Sequence, residues 1–359
     1  MNNEIIHSTS NTSLSQYPAE HIQKALANGD IPTDSHLFQS AADHLINEYR
    51  SREGLAENTF LALDTGWSLF VDWCVEHNRV SLPASSKTVE DYVKSISKVL
   101  RRNTIRVRKW AITKIHKICG LPNPFDSEFV TQTISGIYKK KLHEDEITEQ
   151  ASPFNETHLE ALELLYADST LKKRRDLLMM TIAYESLLRS SELCNIKLKH
   201  LRLIGKEIHI TIPVTKTNHS GNPDVVALSE HATNQVLEYL NDHSMKLSGD
   251  GYLFRRLRRN GLAYPSTKQA MSNQSVIDVF NSVHNDLGGS DVLHCEPFTS
   301  HSCRVGGAQD LLAAGYSILQ VQQAGRWSDP SMVYRYGRGI FAAKSAMAHF
   351  RRNRQKPRN

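Results

Sequence analysis

Apolar residues recur at helical spacing along most of this chain, and the pattern breaks once near its middle, across KKKLHEDEITEQASPFN (139–155). Charge runs and a proline replace the period there, which is the signature of a linker. A chain of 359 residues is long enough for two domains, each able to bury its own core. The expected organisation is a polar, loosely ordered segment over 1–37, a helical domain over 38–138, the linker over 139–155 and a second domain over 156–340. A terminal apolar helix with a basic tail follows over 341–359.

In the first half, HLFQSAADHLINEY aligns Phe38, Ala41, Ala42, Leu45 and Tyr49 on one stripe, and NTFLALDTGWSLFVDWC does the same with Phe60, Leu63, Trp67, Phe70 and Cys74. TVEDYVKSISKVL opens with Thr88 and, three residues on, Asp91, a variant capping box. The helix RRNTIRVRKWAITKIHKICG sets Ile105, Ile112, Ile115 and Cys119 on one face. Arg102, Arg106, Lys109, Thr113 and Lys117 form a polar stripe on it, and Gly120 and Pro122 end it. Such a stripe is either a solvated surface or a row of cations offered to phosphates.

The second half is helical with one clear β segment. In EIHITIPV, Ile208, Ile210, Ile212 and Val214 alternate with other residues, the period of a half-buried strand; TKTNHSGNP reads as a turn and DVVALS as the returning strand. The fold class is therefore mainly α, a helical bundle followed by a mixed helical domain with a small antiparallel sheet. No apolar run approaches the roughly 18 residues of a membrane span. An intracellular, soluble protein is the simplest expectation. Cys74, Cys119, Cys194, Cys295 and Cys303 are scattered and lack CxxC spacing, which favours buried thiols in a reducing compartment over disulfides or zinc.

The net charge of +5 is unevenly spread. Residues 1–37 carry a net −3, whereas residues 101–141 carry ten Lys or Arg against Asp126 and Glu128. KKRR (172–175), RRLRR (255–259) and RRNRQKPR (351–358) add further basic clusters. Several basic blocks separated by folded sequence suit a protein that surrounds a polyanion. No GxxxxGK[ST], GxGxxG or HExxH occurs, so nucleotide-dependent and zincin chemistry have no support.

Four short pieces of the second domain stand out together. YESLLRSSEL puts Arg189 and Glu192 three apart on one side of a helix, and VTKTN puts Lys216 on a hairpin tip. HSCRVGGAQDLL puts His301 and Arg304 three apart, with Gly306 and Gly307 allowing close packing. AGRWSDPSMVYRY puts Trp327 nine residues before Tyr336. Singly each is commonplace; Arg–x–x–Glu, for example, is an ordinary helix ion pair. In the order Arg, Lys, His–x–x–Arg, Trp, Tyr, they resemble the catalytic domain of the tyrosine site-specific recombinases, the phage integrase family. AYESLLRSSEL, TKT, HSCRVGGAQDL, QAGRW and GLPNP are similar to segments of its Cre-like subgroup, over roughly 310 of the 359 residues. AGRW takes the place of the wider family's LGH pattern, with Trp for His, and Cys303 stands where the subgroup has a small apolar residue.

The resemblance implies DNA strand transesterification through a 3′-phosphotyrosyl intermediate and a Holliday junction, with no metal or nucleotide cofactor. Tyr336 would be the nucleophile, Arg189 and Arg304 the phosphate clamp, Lys216 the acid for the leaving 5′-oxygen, His301 a base or proton relay, and Trp327 an indole N–H donor. Glu192 would hold its neighbours. Residues two apart on a helix differ by about 200°, so Tyr336 is expected to face DNA and Tyr334 to pack. Arg102, Arg106, Lys109 and Lys117 would contact DNA from a major-groove helix, and Gln274 would read a base, adenine by its chemistry. The expected partners are a double-stranded target with inverted repeats and three further copies of the chain, joined through the helix FAAKSAMAHF (341–350). Localisation would be cytoplasmic. Two alternatives remain open: a non-catalytic DNA-binding relative, although no catalytic residue is missing, and a type IB topoisomerase, which the two-domain match and the terminal helix disfavour.

Overall fold

The computed structural model of the chain describes residues 57–144, 150–213, 222–264 and 269–343, with 43, 44, 46–49, 51, 347, 350 and 351. They fall into two compact units, Met1–Thr148 and Glu149–Asn359. The 1–37 segment, most of the stripe beginning at Phe38, Val214, Lys216 and the tail beyond 351 lie outside the described residues.

In the first unit α1 (Glu57–Glu76), α2 (Ser86–Ile96), α3 (Arg102–Ile118) and α4 (Glu128–His143) surround one core. The α1 stripe Leu63, Trp67, Phe70 and Cys74 is buried as expected, with Phe60 at its edge. Gly66 lets α1 and α3 approach closely, because a Cβ there would lie 2.6 Å from that of Ala111. The cap of α2 is Ser85, not Thr88: the Ser85 hydroxyl accepts the Thr88 N–H at 3.1 Å. Asp91 is drawn instead to Lys87 (2.9 Å) and Arg79 (3.3 Å), cations that outcompete a backbone amide already served by Ser85. On α3 the buried face includes His116, whose Nε2 accepts the Ala84 N–H at 2.9 Å while its Nδ1 is 2.8 Å from the Ile112 carbonyl. Burial lowers its pKa, and this bonding places the proton on Nδ1. Helix α4 runs on to His143, through residues whose charge suggested a linker; Lys140, Lys141 and His143 in its last turn complement the helix dipole.

The second unit opens with α5 (Glu156–Tyr166), capped by Asn155, and continues into α6 (Leu171–Ser186), whose Leu178, Met179, Met180, Ile182 and Ala183 are buried in the largest core. After α7 (Ser190–Cys194) comes an antiparallel sheet in the order β1 (Leu201–Ile204), β2 (Glu207–Ile212), β3 (Asp224–Ala227). Ile208, Ile210 and Ile212 are buried, as their alternation indicates. Strand β1 was not expected; Ile204 pairs with Glu207 across a two-residue turn whose Gly205 has φ 62°, a left-handed conformation that favours glycine. Helices α8 (Glu230–Asp242), α9 (Asn273–Asp286), α10 (Gly289–Leu293), α11 (Ser302–Ala313), α12 (Ile318–Ala324), α13 (Ser331–Tyr336) and α14 (Arg338–Ala343) complete the described residues. No described helix is long and apolar enough to cross a membrane.

Helix α11 seats the site. A Cβ on Gly306 would lie 1.8 Å from the Phe154 carbonyl oxygen, and one on Gly307 2.5 Å from Leu187 Cδ2. Gly306→Ala is therefore expected to cost about 3 kcal/mol or more, since backbone cannot yield as a side chain can. Gly136→Ala, with open space around it on α4, should instead stabilise by about 0.5–1 kcal/mol. Urea unfolding of the two variants checks the contrast, and equal effects would contradict the packing described.

Candidate active site

The site is assembled where α6 ends. Leu187 follows α6 in a left-handed conformation (φ 48°), which turns the chain and frees the Leu187 carbonyl from the helix ladder. Arg189 comes two residues later. It is not within a helix, as its spacing from Glu192 suggested, but caps the start of α7. The Glu192 Oε2 accepts the Arg189 backbone N–H at 2.9 Å, and its Oε1 accepts from Arg189 Nη1 at 2.8 Å. Burial alone would raise the Glu192 carboxyl; the Arg189 N–H, the Arg326 charge and the Arg189 guanidinium overcome it and hold the pKa below the usual range.

His301 occupies the N-cap position of α11, with Arg304 one turn in. Arg304 is 2% exposed, an unusual place for a guanidinium unless its donors are met. Its Nη1 donates to the Leu187 carbonyl, and its Nη2 to the Gly325 carbonyl at 3.0 Å. Burial, then the charges of Arg189 and Arg326, depress its pKa to about 10, so it remains a cation at neutral pH. His301 is open to solvent as a residue. Its ring pKa is nonetheless lowered, first by the partial desolvation of sitting among packed neighbours, then by Arg304 and Arg189.

Trp327 and Tyr336 close the cluster. The Trp327 ring covers the Arg304 guanidinium at 4.9 Å and meets the Tyr336 ring edge-on at 5.6 Å. Gly325 makes this possible, because a Cβ there would fall 2.1 Å from the indole. Tyr336 ends α13 and is 8% exposed, with Gln309 donating to its carbonyl at 3.0 Å. Tyr334 is the exposed tyrosine, at 52%, its ring beside Phe341 at 5.6 Å. The expectation that Tyr334 packs into the core is thus not met, and Tyr336, expected to face DNA, is nearly covered within its own unit. The half-turn offset between them holds, but the apolar face of α13 buries Val333 and Tyr336 together.

Arg189, Glu192, His301, Arg304, Trp327 and Tyr336 therefore gather in one unit, while Lys216 lies outside the described residues, between β2 and β3. The sequence reading gave no role to Arg326, which joins the cluster by bonding Glu192 Oε2 at 3.2 Å. Its one signal was a basic residue inside AGRW.

The expected DNA contacts divide. On α3, Arg102 is half-buried, Arg106 lies over the Tyr138 ring at 5.4 Å, Lys109 lies over Phe125 at 5.3 Å and Lys117 is exposed. The outward face also carries Val107 and Trp110, 42% and 36% exposed, which the charge pattern hid. Gln274 is exposed in the first turn of α9 and donates to Asp278 at 2.9 Å.

A charged, helix-capped cluster with a phenol beside it, on a helical domain with a three-stranded sheet, is the kind of site that chemistry at a phosphate ester needs, and comparison with known proteins gives the class. Residues 155–340 match the family model described as Phage integrase family. The chain is 30% identical over 323 residues to the recombinase Cre of Escherichia phage P1, covering 88% of this chain and 94% of Cre. Among solved structures it is similar to the Tn1549 transposon integrase in complex with a circular intermediate DNA (TM-score 0.57, 16% identity, 82% of this chain and 94% of that one). It is also similar to the XerH recombinase bound to a palindromic difH substrate (TM-score 0.56, 14% identity, 92% and 94%). The chain belongs to the phage integrase family, the tyrosine recombinases.

Cys303, between His301 and Arg304, is fully buried in the main core and its thiol is pushed well above the usual range by burial. It is expected to resist a thiol-specific reagent in the folded protein, while the half-buried Cys295 reacts. Mass spectrometry of the labelled protein reads the outcome, and comparable labelling of both cysteines would contradict the packing.

Proposed function

We propose that this chain is a site-specific DNA recombinase, cutting and rejoining strands at short palindromic targets through a 3′-phosphotyrosyl intermediate and a Holliday junction. One observation carries the reading: a buried guanidinium, Arg304, lies under the Trp327 ring, which in turn contacts Tyr336. Cations and a phenol held within one small cluster are what transesterification at a phosphodiester requires. The 30% identity to Cre across most of both chains supports the same activity.

In this mechanism the Tyr336 hydroxyl oxygen attacks phosphorus, a Tyr–O–P bond forms and the P–O5′ bond breaks. Arg189 and Arg304 bind the non-bridging oxygens, where negative charge grows in the transition state. His301, whose lowered pKa keeps its ring neutral near pH 7, accepts the phenolic proton, and Lys216 donates one to the leaving 5′-oxygen. Glu192 fixes Arg189, and Trp327 contributes its indole N–H to the phosphate while its face aligns Arg304. The phosphotyrosine keeps the bond energy, so rejoining draws on no nucleotide. Arg102, Arg106, Lys109 and Lys117 contact DNA from α3, and Gln274 reads a base from α9. The partners are a duplex with inverted repeats and three more copies of the chain in the cytoplasm. The 341–350 segment docks each copy on its neighbour; its residues 344–346, 348 and 349 lie outside the described residues.

Tyr336→Phe is expected to abolish covalent protein–DNA adducts, whereas Tyr334→Phe leaves them at the wild-type level; denaturing gels of nicked target duplexes distinguish the two. Adducts surviving the first change would remove the assignment. Lys216→Ala should slow cleavage by about 100-fold or more while changing DNA binding less than about threefold. Equal losses in both, measured by single-turnover cleavage and gel shift, would make Lys216 a binding residue.

A further inference from the structure

Arg326 is held in a left-handed backbone conformation (φ 51°), which residues with a side chain adopt at a cost. The conformation has a consequence for the site. It turns the Trp327 ring toward Arg304 and sends the Arg326 side chain, only 10% exposed, to the end of α6. There Nη1 donates to the Ser186 carbonyl at 3.0 Å, and Nη2 reaches the Leu187 carbonyl at 3.4 Å and Glu192 Oε2 at 3.2 Å. Its Nε lies 3.9 Å from Asp224, the first residue of β3 after the segment that holds Lys216.

Two of the three acceptors that side chain reaches, the Glu192 carboxylate and the Leu187 carbonyl, also serve an arginine assigned to the phosphate clamp. Glu192 Oε2 takes the Arg189 N–H, and the Leu187 carbonyl takes Arg304 Nη1. The second Arg304 contact is the carbonyl of Gly325, the residue immediately before Arg326. The geometry points to Arg326 as a positioning residue for both Arg189 and Arg304, acting through the Glu192 carboxylate and the Leu187 carbonyl and making no contact with DNA. A planar, two-armed guanidinium is needed for this, since one ammonium cannot span a carboxylate and two carbonyls in fixed directions. The inference rests on the recombinase reading, in which Arg189 and Arg304 bind the scissile phosphate.

The test compares Arg326→Gly, which keeps the left-handed turn without strain and removes the guanidinium, with Arg326→Lys, which keeps only the charge. The probe is a nicked duplex selected from a randomised pool by binding to the wild-type full-length protein. With protein saturating, single-turnover adduct formation by Arg326→Gly is expected to fall by about 30-fold or more, with binding changed by less than about threefold. Arg326→Lys should fall between this variant and wild type. Arg326→Gly combined with Glu192→Gln should be no slower than the slower single variant, because both changes release the same Arg189 contact. A normal adduct rate per folded molecule with a lowered melting temperature would make Arg326 a structural cap of α6 and overturn the inference. So would equal losses in binding and cleavage, or independent, multiplying effects in the double variant. If Arg326→Gly does not fold, Arg326→Lys decides: about tenfold slower cleavage at unchanged binding is expected, and a wild-type rate overturns it. Failure of the recombinase reading looks different, since the wild-type protein would then form no adduct, or would still form it with Tyr336→Phe.

Discussion

Three guanidinium groups gather where α6 ends, two of them on the Glu192 carboxylate, and the arrangement of the site follows from how that excess charge is held. Arg189 and Arg326 bond Glu192 directly, and Arg304 lies close enough for their charges to depress its own pKa. Glu192 and the more distant Asp224 cannot neutralise three cations, so the remaining donors need oxygen partners. The backbone supplies them. Leu187 leaves the α6 ladder in a left-handed conformation, and with Ser186 and Gly325 it offers carbonyls that carry partial negative charge. These carbonyls meet several of the donors, although Arg326 Nε is buried without a hydrogen-bond partner, and the cluster keeps a net positive charge beside the exposed His301. In the proposed reading a phosphodiester bound there would offset the mutual repulsion of these cations, a contribution to affinity independent of sequence.

The glycines matter through the same cluster. Gly325 admits the indole, Gly307 admits Leu187, and Gly337 admits Leu312 and Phe341 behind Tyr336. Each contact falls at a distance where an added methyl group would force a neighbour to shift, and at Gly325 that neighbour is the Trp327 indole that lies over Arg304. Close packing fixes the ring of Trp327, and the ring fixes the plane of the guanidinium beneath it. Positioning of the cations is thus a property of the apolar core and not only of the ion pairs.

How far the sequence reveals this depends on the length scale of each feature. Alternation over Ile208, Ile210 and Ile212 spans enough residues to mark a strand, whereas β1 has four residues with only Leu201 buried, too few for a period. Stripes on α1 and α3 were legible for the same reason that β2 was. Caps were harder. Thr88–Asp91 and Ser85–Thr88 are equally good local patterns, and the choice was made by Lys87 and Arg79 pulling Asp91 away. Within the site, the order of chemical residues in the chain carried the family, but spacing alone placed Arg189 inside a helix, when in fact it caps one. Arg326 stayed invisible because its role depends on backbone carbonyls brought together by two left-handed turns, at Leu187 and at Arg326 itself, and no periodicity encodes those.

The two tyrosines of α13 show why exposure is a poor guide to chemistry. Tyr334 is half in water with its ring on Phe341, whereas Tyr336 is nearly covered, yet only Tyr336 touches the ring that lies on Arg304. A phenol becomes a nucleophile through the cations and proton acceptor around the phosphate it attacks, and in the proposed mechanism it is the buried face of the helix, against Trp327 and the Arg304 beneath it, that carries this chemistry. Tyr336 is the last residue of a helix of only six residues capped by Gly337, so in the proposed mechanism little packed structure has to shift for its hydroxyl to reach a phosphate. In that mechanism burial before DNA arrives and reach afterwards are compatible on such an element, and together they would keep the hydroxyl from water until its electrophile is in place.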